Sequence, residues 1–100
     1  MKIVITPSAL HDLDEAAEFY ENQEPGLGSV CYAFLESEID SLLKWARIHP
    51  QKHGLYYHIV RRRFPYYTIF YRLVEDVIEV SAVLDGRRDP DFNRRKLLDS

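Results

Sequence analysis

One hundred residues, 46% hydrophobic and 29% charged, with 13 Lys and Arg against 16 Asp and Glu, describe an ordinary globular chain and exclude disordered and collagen-like classes. A single Cys31 excludes an internal disulfide framework and a cysteine-based zinc site, and fits a reducing compartment. The longest apolar run, Val30–Leu35, is far short of the roughly twenty residues that span a bilayer, and Met1–Pro7 is too soon interrupted for a signal peptide, so a single cytoplasmic domain over residues 1–100 is expected.

Lys2–Thr6 reads as a short strand, because Ile3, Val4 and Ile5 are consecutive β-branched residues. Thr6-Pro7 is a helix start: the threonine hydroxyl can accept a free backbone N–H, and proline lacks one where none is needed. Ala9, Leu13, Ala16 and Tyr20 then trace one helical face, with Asp12, Asp14 and Glu15 early in the helix where its dipole favours acids. The break Glu24-Pro25-Gly26-Leu27-Gly28 lets the chain double back. A second helix is expected from about Ser29 to Ile48, with Cys31, Leu35, Ile39, Leu42 and Ala46 as its apolar stripe and Pro50 as its stop.

From Leu55 the hydrophobic period changes to two. Leu55–Arg61, Tyr66–Leu73 and Val77–Leu84 read as consecutive strands. Alternation places Tyr67, Ile69, Tyr71 and Leu73 on one face of the second of these, and Ile78, Val80, Ala82 and Leu84 on one face of the third. A turn over Asp85–Asp91 leads to a segment, Phe92–Leu98, that can be helical. The order βααβββ defines an α+β fold, a mostly antiparallel sheet with an αα-hairpin packed on one face.

Charge divides unevenly along this order. Residues 1–50 carry three basic and nine acidic side chains, and residues 51–100 carry ten basic and seven acidic, with nine arginines in the whole chain. The asymmetry fits either an acidic solvated hairpin beside arginine-bearing strand ends, or a face built to grip an anionic partner. His49 and His53 have a metal-like spacing, yet Pro50 interrupts a helical pair and no third ligand is evident, so both read as loop histidines and no metal or cofactor is expected. His58 alternates with Tyr56 and Val60 on a face read as outward, without a partner. Cys31 and Tyr71 read as core residues.

Three stretches stand together: Leu10–Tyr20 with Pro25-Gly26-Leu27-Gly28, then Arg63-Phe64-Pro65-Tyr66-Tyr67-Thr68-Ile69-Phe70-Tyr71-Arg72, then Ala82-Val83-Leu84-Asp85-Gly86-Arg87-Arg88-Asp89-Pro90. In that order and spacing the chain resembles the RelE/ParE superfamily, the growth-inhibiting toxins of bacterial type II toxin–antitoxin (plasmid-stabilisation) modules, over about residues 3 to 95. The resemblance implies the βααβββ fold and a cognate antitoxin that covers the toxin. It also implies one of two targets. RelE-like members cut mRNA on the ribosome, using Arg and Lys for phosphate charge and Tyr, His or Glu for proton transfer; ParE-like members poison DNA gyrase by binding it.

Measured against the nuclease requirement, Arg61, Arg63, Arg87 and Arg88 can act as phosphate clamps if their strand ends are neighbours. Asp85 stands where many members have His and suits turn capping better than catalysis beside a phosphate. Residues 91–100 contain neither Tyr nor His, and a sequence pI near 5.8 is low for an RNA-gripping surface. The balance favours a non-catalytic, gyrase-directed toxin whose antitoxin meets Arg61, Arg62, Arg63, Arg72, Arg87 and Arg88, as a homodimer or a toxin–antitoxin hetero-oligomer. A ribosome-dependent mRNA endonuclease and a diverged, inactive member are the alternatives.

Overall fold

The computed structural model describes residues 1–98. β1 (Lys2–Ile5) feeds α1 (Pro7–Gln23), and Thr6 closes the junction: its Oγ1 accepts the Ala9 N–H at 3.2 Å. α2 (Leu27–Asp40) returns against α1, followed by a single turn, α3 (Leu42–Trp45). A two-residue strand, β2 (Gln51–Lys52), leads into β3 (Leu55–Ile59), β4 (Tyr67–Val74) and β5 (Val77–Asp85), and α4 (Pro90–Leu98) follows. The sheet order is β1-β5-β4-β3-β2. Every pair is antiparallel except β1 with β5, where Ile3 lies opposite Ile78 and Ile5 opposite Val80.

The expected stripes are buried: Ala9, Leu13 and Ala16 on α1, Cys31, Leu35 and Ile39 on α2, and Leu42 on α3. They meet Val60, Tyr67, Ile69, Tyr71, Ile78, Val80 and Val83 from the sheet. Burial also pushes the Cys31 thiol up to about 11, so it stays protonated at neutral pH and acts as a small apolar side chain.

The second helix is shorter than its apolar stripe predicts. The Ser37 and Ser41 hydroxyls each donate back to the carbonyl three residues earlier, Phe34 and Glu38, at 2.6 Å. That competing bond loosens the ladder and interrupts the helix at Ser41. Arg47 then adopts φ 78°, a left-handed conformation that turns the chain back toward the sheet and carries His49 with it.

Alternation along β5 also departs from expectation. Phe70 lies opposite Ala82 and Tyr71 opposite Val80, so Ser81 is an extra residue, a β-bulge. One inserted residue reverses the parity beyond it. Val83 therefore joins Ile78 and Val80 against the helices, while Ala82 and Leu84 turn to the opposite face with Leu55 and Phe70. Leu97 of α4 packs there, so the sheet is covered on both sides at this end.

Candidate interaction site

The end of β3, the start of β4 and the end of β5 lie at one end of the sheet, since Ile59 faces Thr68 and Tyr67 faces Asp85. Arg61, Arg62 and Arg63 leave from the first of these ends, and Arg87 and Arg88 follow the last. The strand ends flank β4 as the clamp reading requires, but their guanidinium groups fan into separate places. Arg72 stands toward the far end of β4, paired across the sheet with Glu79 at 3.5 Å.

Arg63 and Arg87 border a groove of about 560 Å³ together with Phe19, Tyr20, Phe64 and Tyr66. Asp85 builds its wall. Its Oδ1 accepts the Arg87 backbone N–H at 2.8 Å, the turn cap expected of it, and also Arg87 Nε at 3.0 Å, while Oδ2 accepts Nη2 at 2.9 Å. These bonds hold the guanidinium charged well above its usual range. They also hold it flat, 4.0 Å over the Tyr66 ring and 5.5 Å from Phe19. Tyr20 contacts Phe64 edge-on at 4.8 Å, and Arg63 lies 5.9 Å over Phe64. Phe19 and Tyr66 remain 46% and 48% exposed, so the groove is aromatic, cationic and open.

Arg88 turns the other way, to Glu15 at 2.9 Å and the Phe92 ring at 4.8 Å. Between α1 and β5 lies a residue the sequence reading took for a dipole acid. Asp12 is 7% exposed; its Oδ2 accepts the Val83 backbone N–H at 3.0 Å and its Oδ1 faces Lys96 Nζ at 2.9 Å. Beyond Val80 the strand has lost its β1 neighbour, and this carboxylate takes that neighbour's place as acceptor.

Arg61 and Arg62 border a third recess, about 550 Å³, with Glu38, His49 and His58. His58 points inward and is partnered, contrary to expectation: its Nε2 lies 3.2 Å from Glu38 Oε1, and Arg62 is 3.8 Å from Oε2. The register explains it, because β3 lies beneath α2 and Tyr56, His58 and Val60 share the helix-facing side. His49 is likewise no free loop histidine. Its Nδ1 lies 2.7 Å from the buried Tyr71 hydroxyl, and its ring centroid is 4.8 Å from that of His58. Desolvation, with the neighbouring His58 charge, lowers the His49 pKa below the usual 6.5. Among the described residues no group of His, Cys, Asp or Glu is arranged to hold a metal ion.

The Tyr71 hydroxyl thus anchors the turn before β2. Tyr71→Phe should cost about 1–2 kcal/mol by leaving the His49 nitrogen without its partner, as read by urea unfolding at pH 7. His49 also sets a pH slope. A histidine whose folded pKa is lowered lends stability above its unfolded value, and that contribution is lost as pH falls below 6.5 through the folded value. Stability should therefore decline over that window in the native chain, and His49→Gln should flatten the decline.

Comparison with known proteins places this geometry. A solved structure titled the chromosomal ParDE TA system from P. aeruginosa shares the fold, with a TM-score of 0.73, 16% sequence identity, and coverage of 85% of this chain and 95% of that one. No curated protein sequence matches the chain. Residues 3–90 match the ParE toxin of type II toxin–antitoxin systems (parDE), and the chain belongs to that family. No helix among the described residues is long and apolar enough to cross a membrane.

Proposed function

We propose that this ParE-family toxin arrests growth in the cytoplasm by binding DNA gyrase, and that its cognate antitoxin silences it by covering the groove around Arg87. The observation that carries the reading is the composition of that groove. Aromatic rings and arginine are the residue types enriched where protein partners bind tightly, and a guanidinium already fixed by Asp85 and stacked on Tyr66 loses little freedom on docking. An acidic antitoxin segment is the complementary partner, since Arg63 and Arg87 both border the groove.

Expression of the chain alone, followed by recovery of trapped gyrase–DNA breaks, tests the target. Breaks that appear with growth arrest support gyrase. Codon-phased cuts in translated messages would move the assignment to the ribosome-dependent endonuclease, and unaffected growth would identify an inactive member. For the silencing surface, Arg87→Ala should weaken antitoxin binding about 10- to 30-fold, the loss typical of a truncated interface anchor. Arg72→Ala, at the far end of the sheet, should change it less than about threefold. Calorimetric titration of both variants decides; equal losses would place the interface elsewhere.

A further inference from the structure

The recess between the end of α2 and the edge of β3 is not used by the partner-binding reading, and its chemistry is different from that of the aromatic groove. Arg61 is exposed, lines this recess, and makes no hydrogen bond or ion pair among the described residues. Arg62 approaches Glu38 only to 3.8 Å with its side chain 78% exposed, so its guanidinium retains free donors. Two cationic forks thus border a recess that is also lined by two imidazoles, their centroids 4.8 Å apart and their planes tilted by 42°.

Proton positions at these rings follow from the hydrogen bonds. The Tyr71 hydroxyl lies 2.7 Å from His49 Nδ1 and can donate its O–H there. Neutral His49 then carries its proton on Nε2, as a donor. His58 Nε2 is turned to Glu38, a carboxylate 13% exposed that orients the ring. Glu38 itself is matched by His58 and Arg62, which leaves Arg61 and any imidazole charge in excess.

We propose that this recess is a binding site for a phosphoryl group, with Arg61 and Arg62 meeting its oxygens and His49 donating beside His58, which Glu38 holds in place. Forked guanidinium donors match the geometry of phosphate oxygens. The recess, about 550 Å³, also has room for a substituent on the phosphate such as a nucleoside. A dianion beside the desolvated His49 ring offsets the cost of charging it, so binding and proton uptake are linked. The other groups facing the rings are Glu38 from α2, the Tyr56 and Tyr71 phenols from β3 and β4, and Arg47 before β2; of these only Glu38 carries negative charge at neutral pH.

Imidazole NMR of the full chain tests the site. Sulfate is the first probe, because its charge is constant over the range in which histidines titrate. The expected result is a saturable shift of the His49 and His58 signals, with a Kd on the order of 1 mM, tightening severalfold from pH 8 to pH 6. Inorganic phosphate and adenosine 5′-monophosphate then distinguish a bare anion from a phosphomonoester: equal affinity assigns the free ion, and tighter nucleotide binding assigns the ester. Arg61→Gln and Arg62→Gln should each weaken binding at least about fivefold, whereas Arg88→Gln, which borders other recesses, should leave it unchanged. Both arginines are exposed, so the variants should keep the native spectrum. Shifts that never saturate, that survive in the Arg61→Gln/Arg62→Gln double variant, or that vanish in Arg88→Gln would overturn the proposal. None of these readouts involves an antitoxin or gyrase.

Discussion

Asp12→Ala should destabilise the protein by about 3 kcal/mol, lowering the melting temperature of a chain this size by roughly 10–20 °C in calorimetry. The carboxylate is nearly inaccessible and serves two partners on two elements, the Val83 N–H on β5 and the Lys96 ammonium on α4. Removing it orphans a strand N–H that water does not easily reach and takes away the carboxylate 2.9 Å from the Lys96 ammonium. Asp12→Asn should cost less, about 1–2 kcal/mol, because an amide oxygen still accepts from Val83. The acid limb separates the two terms. Burial raises the Asp12 pKa above 3.8, so ionising it is harder in the fold than in the unfolded chain. By itself the group therefore adds stability at low pH, and loses that contribution as pH rises from 3.8 through its raised folded value. The asparagine variant should lack this slope. Equal melting temperatures for Asp12→Ala and the native chain would sink the bridging role.

Gly28→Val should cost about 3 kcal/mol and Gly28→Ala about 2. A Cβ at this position would come within 2.5 Å of the Ala17 carbonyl oxygen and 2.9 Å of the Glu21 side chain, so the α1–α2 crossing depends on the missing atom. The same approach lets Glu21 reach across and accept the Gly26 and Gly28 N–H groups at 3.0 Å each, capping α2 from outside. A larger residue pushes that cap away as well as the backbone. An alanine in a helix is otherwise worth up to about 1 kcal/mol more than a glycine. A stabilised Gly28→Ala protein in urea unfolding would therefore contradict the close approach.

Gly26 and Gly28 illustrate what the sequence makes legible. Both stand in a stretch that reads as a chain reversal, and Gly26 does supply the left-handed turn, with φ 88°. Gly28 serves space, which depends on a helix that meets it from elsewhere in the chain. The same division runs through the fold. Periodicity locates α1, the three long strands and the apolar stripe running from Cys31 to Ala46, because those patterns are local. The Ser81 bulge is not visible in period-two alternation, since Val80, Ala82, Val83 and Leu84 are all apolar and any of them could face the helices. Parallel pairing of β1 is likewise silent in composition.

At the site, Arg87, Arg88 and the Asp85 turn were legible as a motif. Asp12, His49 and His58 were not, because their partners lie 71, 22 and 20 positions away. A helix acid among apolar neighbours, on the Ala9–Leu13–Ala16 stripe, was the one available signal for Asp12.

The pairing of β1 with β5 carries a consequence for how the protein comes into being. Lys2–Ile5 can find their sheet neighbours only when Val77–Val80 exist, so this strand waits for one made much later in the chain. Contacts of such long sequence separation form late and slow the folding of a chain that depends on them. The α1–α2 hairpin, by contrast, needs only its own residues. During synthesis the nascent chain should therefore carry a hairpin with its apolar face uncovered until Val77–Val80 have emerged. A domain built this way closes its sheet only after β5 has been made.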